Sequence, residues 1–262
     1  MINYTERLTA LMRDIVARVP ALTCIDLDRV LVFARLGRTH AEGAYASCHC
    51  LTLPTTEPGY FFWKDRQTGE LTRRSEWFVT KSPRVEIAGR PIDYLISFAL
   101  PRFTDQSLEY SRKRENYGEA PGWVAKLDTV VHELYHIDPE GLGLRRAVLP
   151  DGNFSNRLHG PTFYQDVARM VREYLAASPD PETFEFLRYN FAGLTERYGG
   201  VVCTTFRNYP SFPQRYNETV PLPAEAPGLR VEPLKPVSQP TRYTERDLAK
   251  RLFTPETSRL AV

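Results

Sequence analysis

His132, Glu133 and His136 stand in the order His-Glu-Leu-Tyr-His, an HExxH pentapeptide. On a helix, residues four apart share one face and lie roughly 40° out of line at 3.6 residues per turn. Both imidazoles then reach one metal ion. Glu133 falls about 60° to the other side of His136, so its carboxylate flanks that ion without ligating it. The chemistry such a set performs is metal-assisted hydrolysis, with two nitrogen ligands, an open position for water and a carboxylate to take the water's proton.

A catalytic zinc site has three protein ligands plus water, so one more donor is required. Downstream the chain offers Asp138, Glu140, His159, Asp166 and Glu173. His159 is the choice. It lies 159 − 136 = 23 residues on, after a loop long enough to fold back. It precedes Pro161 at the start of an apolar-striped segment, so a rigid element holds it, and Gly160 lets the backbone approach closely.

These residues need a helix to carry them. Val124, Leu127, Val130, Val131, Leu134 and Tyr135 have helical spacing after Pro121, and Pro139 and Gly141 stop the run. The spacing predicts further helices over about residues 4–18, from Pro161 with Phe163, Val167, Met170, Val171 and Tyr174, and from Pro181 through Leu194 to Gly199-Gly200. Ile25–Leu36 and Ala44–Leu53 read as two strands of a hairpin, Tyr60–Trp63 with Leu71–Thr80 as a second hairpin or an aromatic-rich insertion, and Ile92–Leu100 and Val201–Phe206 as further strands. Thr104–Glu119 reads as a polar loop or short exposed helix.

A strand, then Val130-x-His132-Glu133-Leu134-x-His136-Ile137, a Gly-containing loop, and His159-Gly160-x-x-Phe163 opening an amphipathic helix resembles the zincin-type metallopeptidases of the SprT-like group, closest to a phage-associated metallopeptidase family. The resemblance covers about residues 5–205. It implies an α+β, zincin-like fold: a mixed or antiparallel-edged sheet packed by an N-terminal helix and the HExxH helix. It implies one zinc ion on His132, His136 and His159. Peptide bonds would be hydrolysed by a zinc-activated water with Glu133 as general base. It also implies an edge strand that holds extended substrate, for which Tyr94–Leu100 is the candidate. Arg145, Tyr110 and Tyr164 are open candidates for stabilising the oxyanion. Members of the group often end in a cysteine zinc ribbon, and this chain has no C-x-x-C pair. Two other readings of the motif stand beside this one: a non-catalytic zincin-fold binding module, and a metal hydrolase of a non-peptide bond.

Cys48-His49-Cys50 suggests a second metal site, but on a strand His49 points opposite the two thiols, and buried free cysteines are ordinary core residues. Arg73-Arg74, Arg112-Lys113-Arg114 and Arg145-Arg146 read as solvated surface. The chain of 262 residues has a formal net charge of only +2, which gives no general pull toward nucleic acid or membrane, so nucleic-acid contact rests on family analogy alone. The expected partner is a peptide or protein substrate. No run of 18 apolar residues occurs, charged residues interrupt the first 18 positions, and four cysteines occur without an export signal, so a cytoplasmic location is expected. Nine prolines between Pro210 and Pro255 mark a change in composition. The expected division is a zincin-like metallopeptidase domain over residues 1–208 and a Pro-rich extended tail over 209–262, with one short helix at Tyr243–Phe253 capped by Thr244.

Overall fold

The computed structural model describes residues 1–39, 43–52, 62–75, 79–108, 111, 113–141, 143–148, 152, 158–208, 214–216, 230–232 and 241–254. In chain order its elements are β1 (Ile2–Asn3), α1 (Tyr4–Arg18), β2 (Val30–Gly37), β3 (Ala46–Cys50), β4 (Phe62–Lys64), β5 (Leu71–Ser75), β6 (Val79–Lys81), β7 (Arg84–Ile87), β8 (Arg90–Ile92), β9 (Tyr94–Pro101), α2 (Arg114–Tyr117), α3 (Val124–Tyr135), α4 (Phe163–Ala176), α5 (Pro181–Phe184), α6 (Phe191–Tyr198), β10 (Val201–Phe206), β11 (Gln214–Tyr216), β12 (Arg230–Glu232), β13 (Arg242–Thr244) and β14 (Leu248–Phe253). The architecture is mixed α+β, with several small sheets.

The sheet that matters for the site has the order β2–β9–β3. Strand β2 runs parallel to β9, from Val30 opposite Tyr94 to Gly37 opposite Pro101. Strand β3 runs antiparallel on the other side, with Ala46 opposite Phe98 and Cys50 opposite Tyr94. All eight residues of β9 are buried, which explains its unbroken apolar sequence: a strand covered on both faces has no polar face to alternate with. Successive side chains divide between two cores, as the pleat requires. Val30, Val32 and Ala34 of β2 and Tyr94, Ile96, Phe98 and Leu100 of β9 join α1, α3 and α4 in the main core. Phe33 and Leu95 face the other way and meet Val85, Ile92 and Phe206. At the end of β2 a Cβ on Gly37 would come within 2.5 Å of the Ala99 Cβ, so this close strand approach admits only glycine.

Helix α1 starts as its sequence directs: the Asn3 Oδ1 accepts from the Glu6 N–H, and Tyr4, Leu8, Leu11, Met12 and Ile15 are buried. Helix α3 is different. Ten of its twelve residues are buried, Lys126, Asp128, Thr129 and Glu133 among them. A helix enclosed on nearly every side must find partners for those polar groups inside the fold.

The structure departs from the sequence expectations at five places. First, β2 and β3 are not a hairpin, because β9 lies between them. Second, Tyr94–Leu100 is therefore the central strand and not a substrate-holding edge. Third, the strand expected from Ile25 begins at Val30, because Asp26 caps a 3-10 turn over Leu27–Arg29 by accepting the Asp28 N–H. Fourth, the helix expected from Pro181 to Leu194 is broken into α5, a 3-10 turn and α6. Asn190 restarts the helix by accepting the Gly193 N–H, and Asp105 takes the Phe191 N–H at 2.8 Å. Fifth, Tyr243–Phe253 is not a helix. Thr244 does cap a turn, but that turn lasts three residues, and Leu248–Phe253 pairs antiparallel along the whole of β10. The free edge of β10 supplies backbone partners that a short surface helix would lack.

The described parts of the chain beyond residue 209 are strands laid on earlier ones: β11 on β6, β12 on β5, β13 on β7 and β14 on β10. Strand β10 also pairs with β1, Ile2 opposite Val201, and Phe253 is buried in the main core. Hairpin β4–β5 forms around the Asp65 turn, whose carboxylate accepts the Gln67 and Thr68 N–H groups at 2.8 Å each. Tyr60, Phe61 and residues 76–78 of that expectation lie outside the described residues. Among the described residues no helix is long and apolar enough to cross a membrane.

Candidate metal centre

Helix α3 carries His132 and Glu133 in its last turn. His136 follows immediately and keeps the helical bond from its N–H to the His132 carbonyl. The chain then turns sharply at Gly141 (φ +71°) and comes back, Ile137 bridging Leu144. Two bonds tie this return loop to the sheet: Thr52 Oγ1 donates to the Gly141 carbonyl and the Tyr94 hydroxyl to the Gly143 carbonyl, both at 2.8 Å. Arg145 closes the end of the helix. Its Nε donates to the Tyr135 carbonyl at 2.8 Å and its guanidinium lies 4.3 Å from the centre of the Tyr135 ring, a cation where the helix dipole is negative. Arg145 thus caps the helix through its Nε.

His159 arrives from the segment leading into α4. Gly160 is required there, since a Cβ would meet the Ala147 Cβ at 2.8 Å. Phe163, buried in the first turn of α4, packs against all three imidazoles, with centroid distances of 4.9 Å to His132, 5.1 Å to His136 and 4.6 Å to His159. The result is convergence. His132 Nε2 and His159 Nε2 each lie 3.1 Å from His136 Nε2, and the three donor atoms all lie within 4.8 Å of one another. Among the described residues this is the group of His, Cys, Asp and Glu side chains placed to hold an ion.

The electrostatics suit ligation. Burial holds the His132 pKa down to about 2, aided by the neighbouring His136, Lys113 and His159, and holds His136 down to about 4, aided by His159 and Arg145. His159, nearer solvent, is also lowered by burial. With Nε2 atoms this close, a neighbouring pair is reconciled by a proton shared between the two rings, whereas a cation can take the lone pairs of all three. In a tetrahedral site with metal–nitrogen bonds of about 2.0–2.1 Å the nitrogens stand roughly 3.3 Å apart, close to the 3.1 Å that separates His136 Nε2 from each of the other two. The residues therefore fit a metal ion.

Glu133 is almost fully buried beside them. Burial raises its pKa to about 8, opposed by the Lys113 ammonium, a hydrogen bond from the Cys48 backbone N–H and the Arg35 guanidinium. A dication in the histidine cluster would draw it back toward ionisation.

The Cys48 N–H lies on the side of β3 turned away from β9 and is taken by Glu133. Tyr45 and Leu51 bond to Ala99 and Asp93, so alternation turns the backbone groups of Ala46, Cys48 and Cys50 away from β9. Among the described residues β3 pairs with β9 alone. Cys48 and Cys50 are free thiols, and the Cys50 Sγ contacts Thr52 Oγ1 at 3.0 Å.

One part of the site was hidden in the sequence. Lys113, in a cluster that reads as solvated surface, is half-buried against α3. Its Nζ contacts Asp128 Oδ1 at 2.7 Å, Thr129 Oγ1 at 2.6 Å and the Ala125 carbonyl at 2.9 Å. The Tyr117 hydroxyl donates to Asp128 Oδ2 at 2.6 Å. The available signal was the placement of Asp128 and Thr129, four residues before His132 and Glu133 on an apolar helix. Of the oxyanion candidates, Tyr164 sits at the cluster with its hydroxyl 3.2 Å from His159 Nδ1, and Tyr110 lies outside the described residues. Arg73 pairs with Glu232 and stacks on Trp63.

No protein-family model matches the chain, and no curated protein or solved structure gives a match. The class that fold and site define is thus a mixed α+β protein with a three-histidine cluster at the end of a buried helix.

Proposed function

We propose that the chain is a zinc-dependent metallopeptidase of the zincin type. The observation that carries this reading is the convergence of three neutral imidazole nitrogens beside a buried carboxyl that ligates nothing. An all-imidazole donor set suits zinc, with its fourth position left for water. Zinc held there supplies Lewis acidity to a water and to a carbonyl oxygen. Glu133 accepts the proton of the attacking water and passes it to the leaving amine. Its burial keeps water from competing for that proton. The backbone groups of Ala46 and Cys50 that point away from β9 are the candidates to hold an extended peptide by strand pairing, the Cys48 N–H being given to Glu133. The buried Glu133 speaks against a purely structural module, because a scaffold gains nothing from a desolvated carboxyl.

Zinc content of the purified chain and of His132→Ala tests the centre. About one zinc per chain is expected in the first and its loss in the second, whereas full retention in His132→Ala refutes the site. Proteolysis by wild type and Glu133→Gln tests the base, and equal rates in the two remove Glu133 from that role.

A further inference from the structure

Among the three histidines, His132 and His136 are fixed by a buried helix. His159 is carried on non-helical chain and is the most exposed of the three. It is the ligand in most need of an external hold. Tyr164, the second residue of α4, provides one. Its hydroxyl lies 3.2 Å from His159 Nδ1, and its ring lies 5.3 Å from the His159 ring and 6.0 Å from that of His132.

We propose that Tyr164 is the positioning residue of the third ligand, and not the donor to a developing oxyanion; the proposal rests on the metal-centre reading above. An imidazole that gives its Nε2 lone pair to a metal carries its proton on Nδ1. That N–H must donate to something, and the Tyr164 oxygen is placed to accept it. The bond fixes both the tautomer and the angle of the ring. It also sets where the hydroxyl is. Nδ1 and Nε2 point to opposite sides of the ring, so a hydroxyl on Nδ1 stands on the edge turned away from the ion and from any substrate oxygen bound to it. Tyr164 is half exposed, so removing its hydroxyl leaves no hole in the core.

The two roles separate cleanly in Tyr164→Phe of the full chain. Zinc affinity is measured by competition with a chelator, the metal geometry by the visible spectrum of the cobalt-substituted protein, and peptidase rate against zinc concentration. The positioning role predicts zinc binding weaker by about 10- to 100-fold, an altered cobalt spectrum, an unchanged melting temperature of the metal-free protein, and activity lost at limiting zinc that recovers with excess zinc. Unchanged zinc affinity and spectrum overturn the proposal, whether or not the rate falls. Zinc that binds wild type and is lost in His136→Ala, but is indifferent to Tyr164→Phe, refutes this proposal alone. Wild type that takes up no zinc refutes the metal centre with it.

Discussion

Both halves of α3 are largely buried, all six residues of Val124–Thr129 and four of Val130–Tyr135, and they are built on opposite principles. In the first half every charged group has a partner from the protein. The Lys126 Nζ donates to the Tyr189 carbonyl at 2.7 Å, and Asp128 is held by Lys113 and Tyr117. In the last turn and its cap the demands are left open. His136 Nδ1 is buried with no hydrogen-bond partner, the Nε2 atoms crowd together, and burial pushes the Glu133 carboxyl up even though the Cys48 N–H donates to it. A cleft of about 270 Å³ between α1 and the β7–β8 turn resembles the first half in this respect. Its charges, such as Arg13 with Asp28, are exposed and paired with each other.

Removing a partner from the satisfied half should have the largest effect. Asp128→Ala leaves the half-buried Lys113 ammonium and the Tyr117 hydroxyl without their shared partner and is expected to destabilise the fold by about 3 kcal/mol in urea unfolding. A loss under 1 kcal/mol would show that the first half is no better satisfied than the second.

The unsatisfied half should respond with the opposite sign. The folded pKa of Glu133, about 8, lies above its ordinary 4.5, so between those values the folded chain holds a proton that the unfolded chain has released. Its contribution is full below pH 4.5 and is lost as the pH rises through 8. Glu133→Gln removes that slope, and at pH 7 the metal-free variant should be more stable than wild type by on the order of 2–3 kcal/mol. Parallel stability–pH curves for the two proteins would remove the distinction between the halves.

The smallest effect is expected at the junction of helix and loop. Arg145→Ala takes away the cap on the Tyr135 carbonyl and should lower stability by about 1 kcal/mol, read as a small fall in melting temperature. A drop comparable to that of Asp128→Ala would place Arg145 among the groups that hold the helix.

Much of this was legible in the sequence where the signal is local. The HExxH helix announces itself by its period and its Pro121 and Gly141 limits, and His159 by its place ahead of an amphipathic segment. What was not legible depends on residues far apart in the chain. Nothing in Tyr94–Leu100 says whether its neighbours lie on one side or both, because strand order is set by crossovers. Leu248–Phe253 has apolar spacing that suits a helix, and only the open edge of β10 makes it a strand. Lys113 sits among arginines that belong outside, and Asp128, fifteen residues on, draws it in. The Asn190 cap was readable locally, and it divides a helix that apolar spacing alone would continue.

Strand β10 has a consequence for the making of the protein. It is flanked by Ile2 and Asn3 on one side and by Leu248–Phe253 on the other, so chain segments some 250 positions apart meet on one strand. Such distant pairings must close very long loops before they repay any entropy, and they slow folding. As the chain leaves the ribosome, residue 2 must wait for residue 201, and that sheet is complete only once Phe253 has emerged. The histidine cluster, complete by His159, can assemble well before that sheet closes.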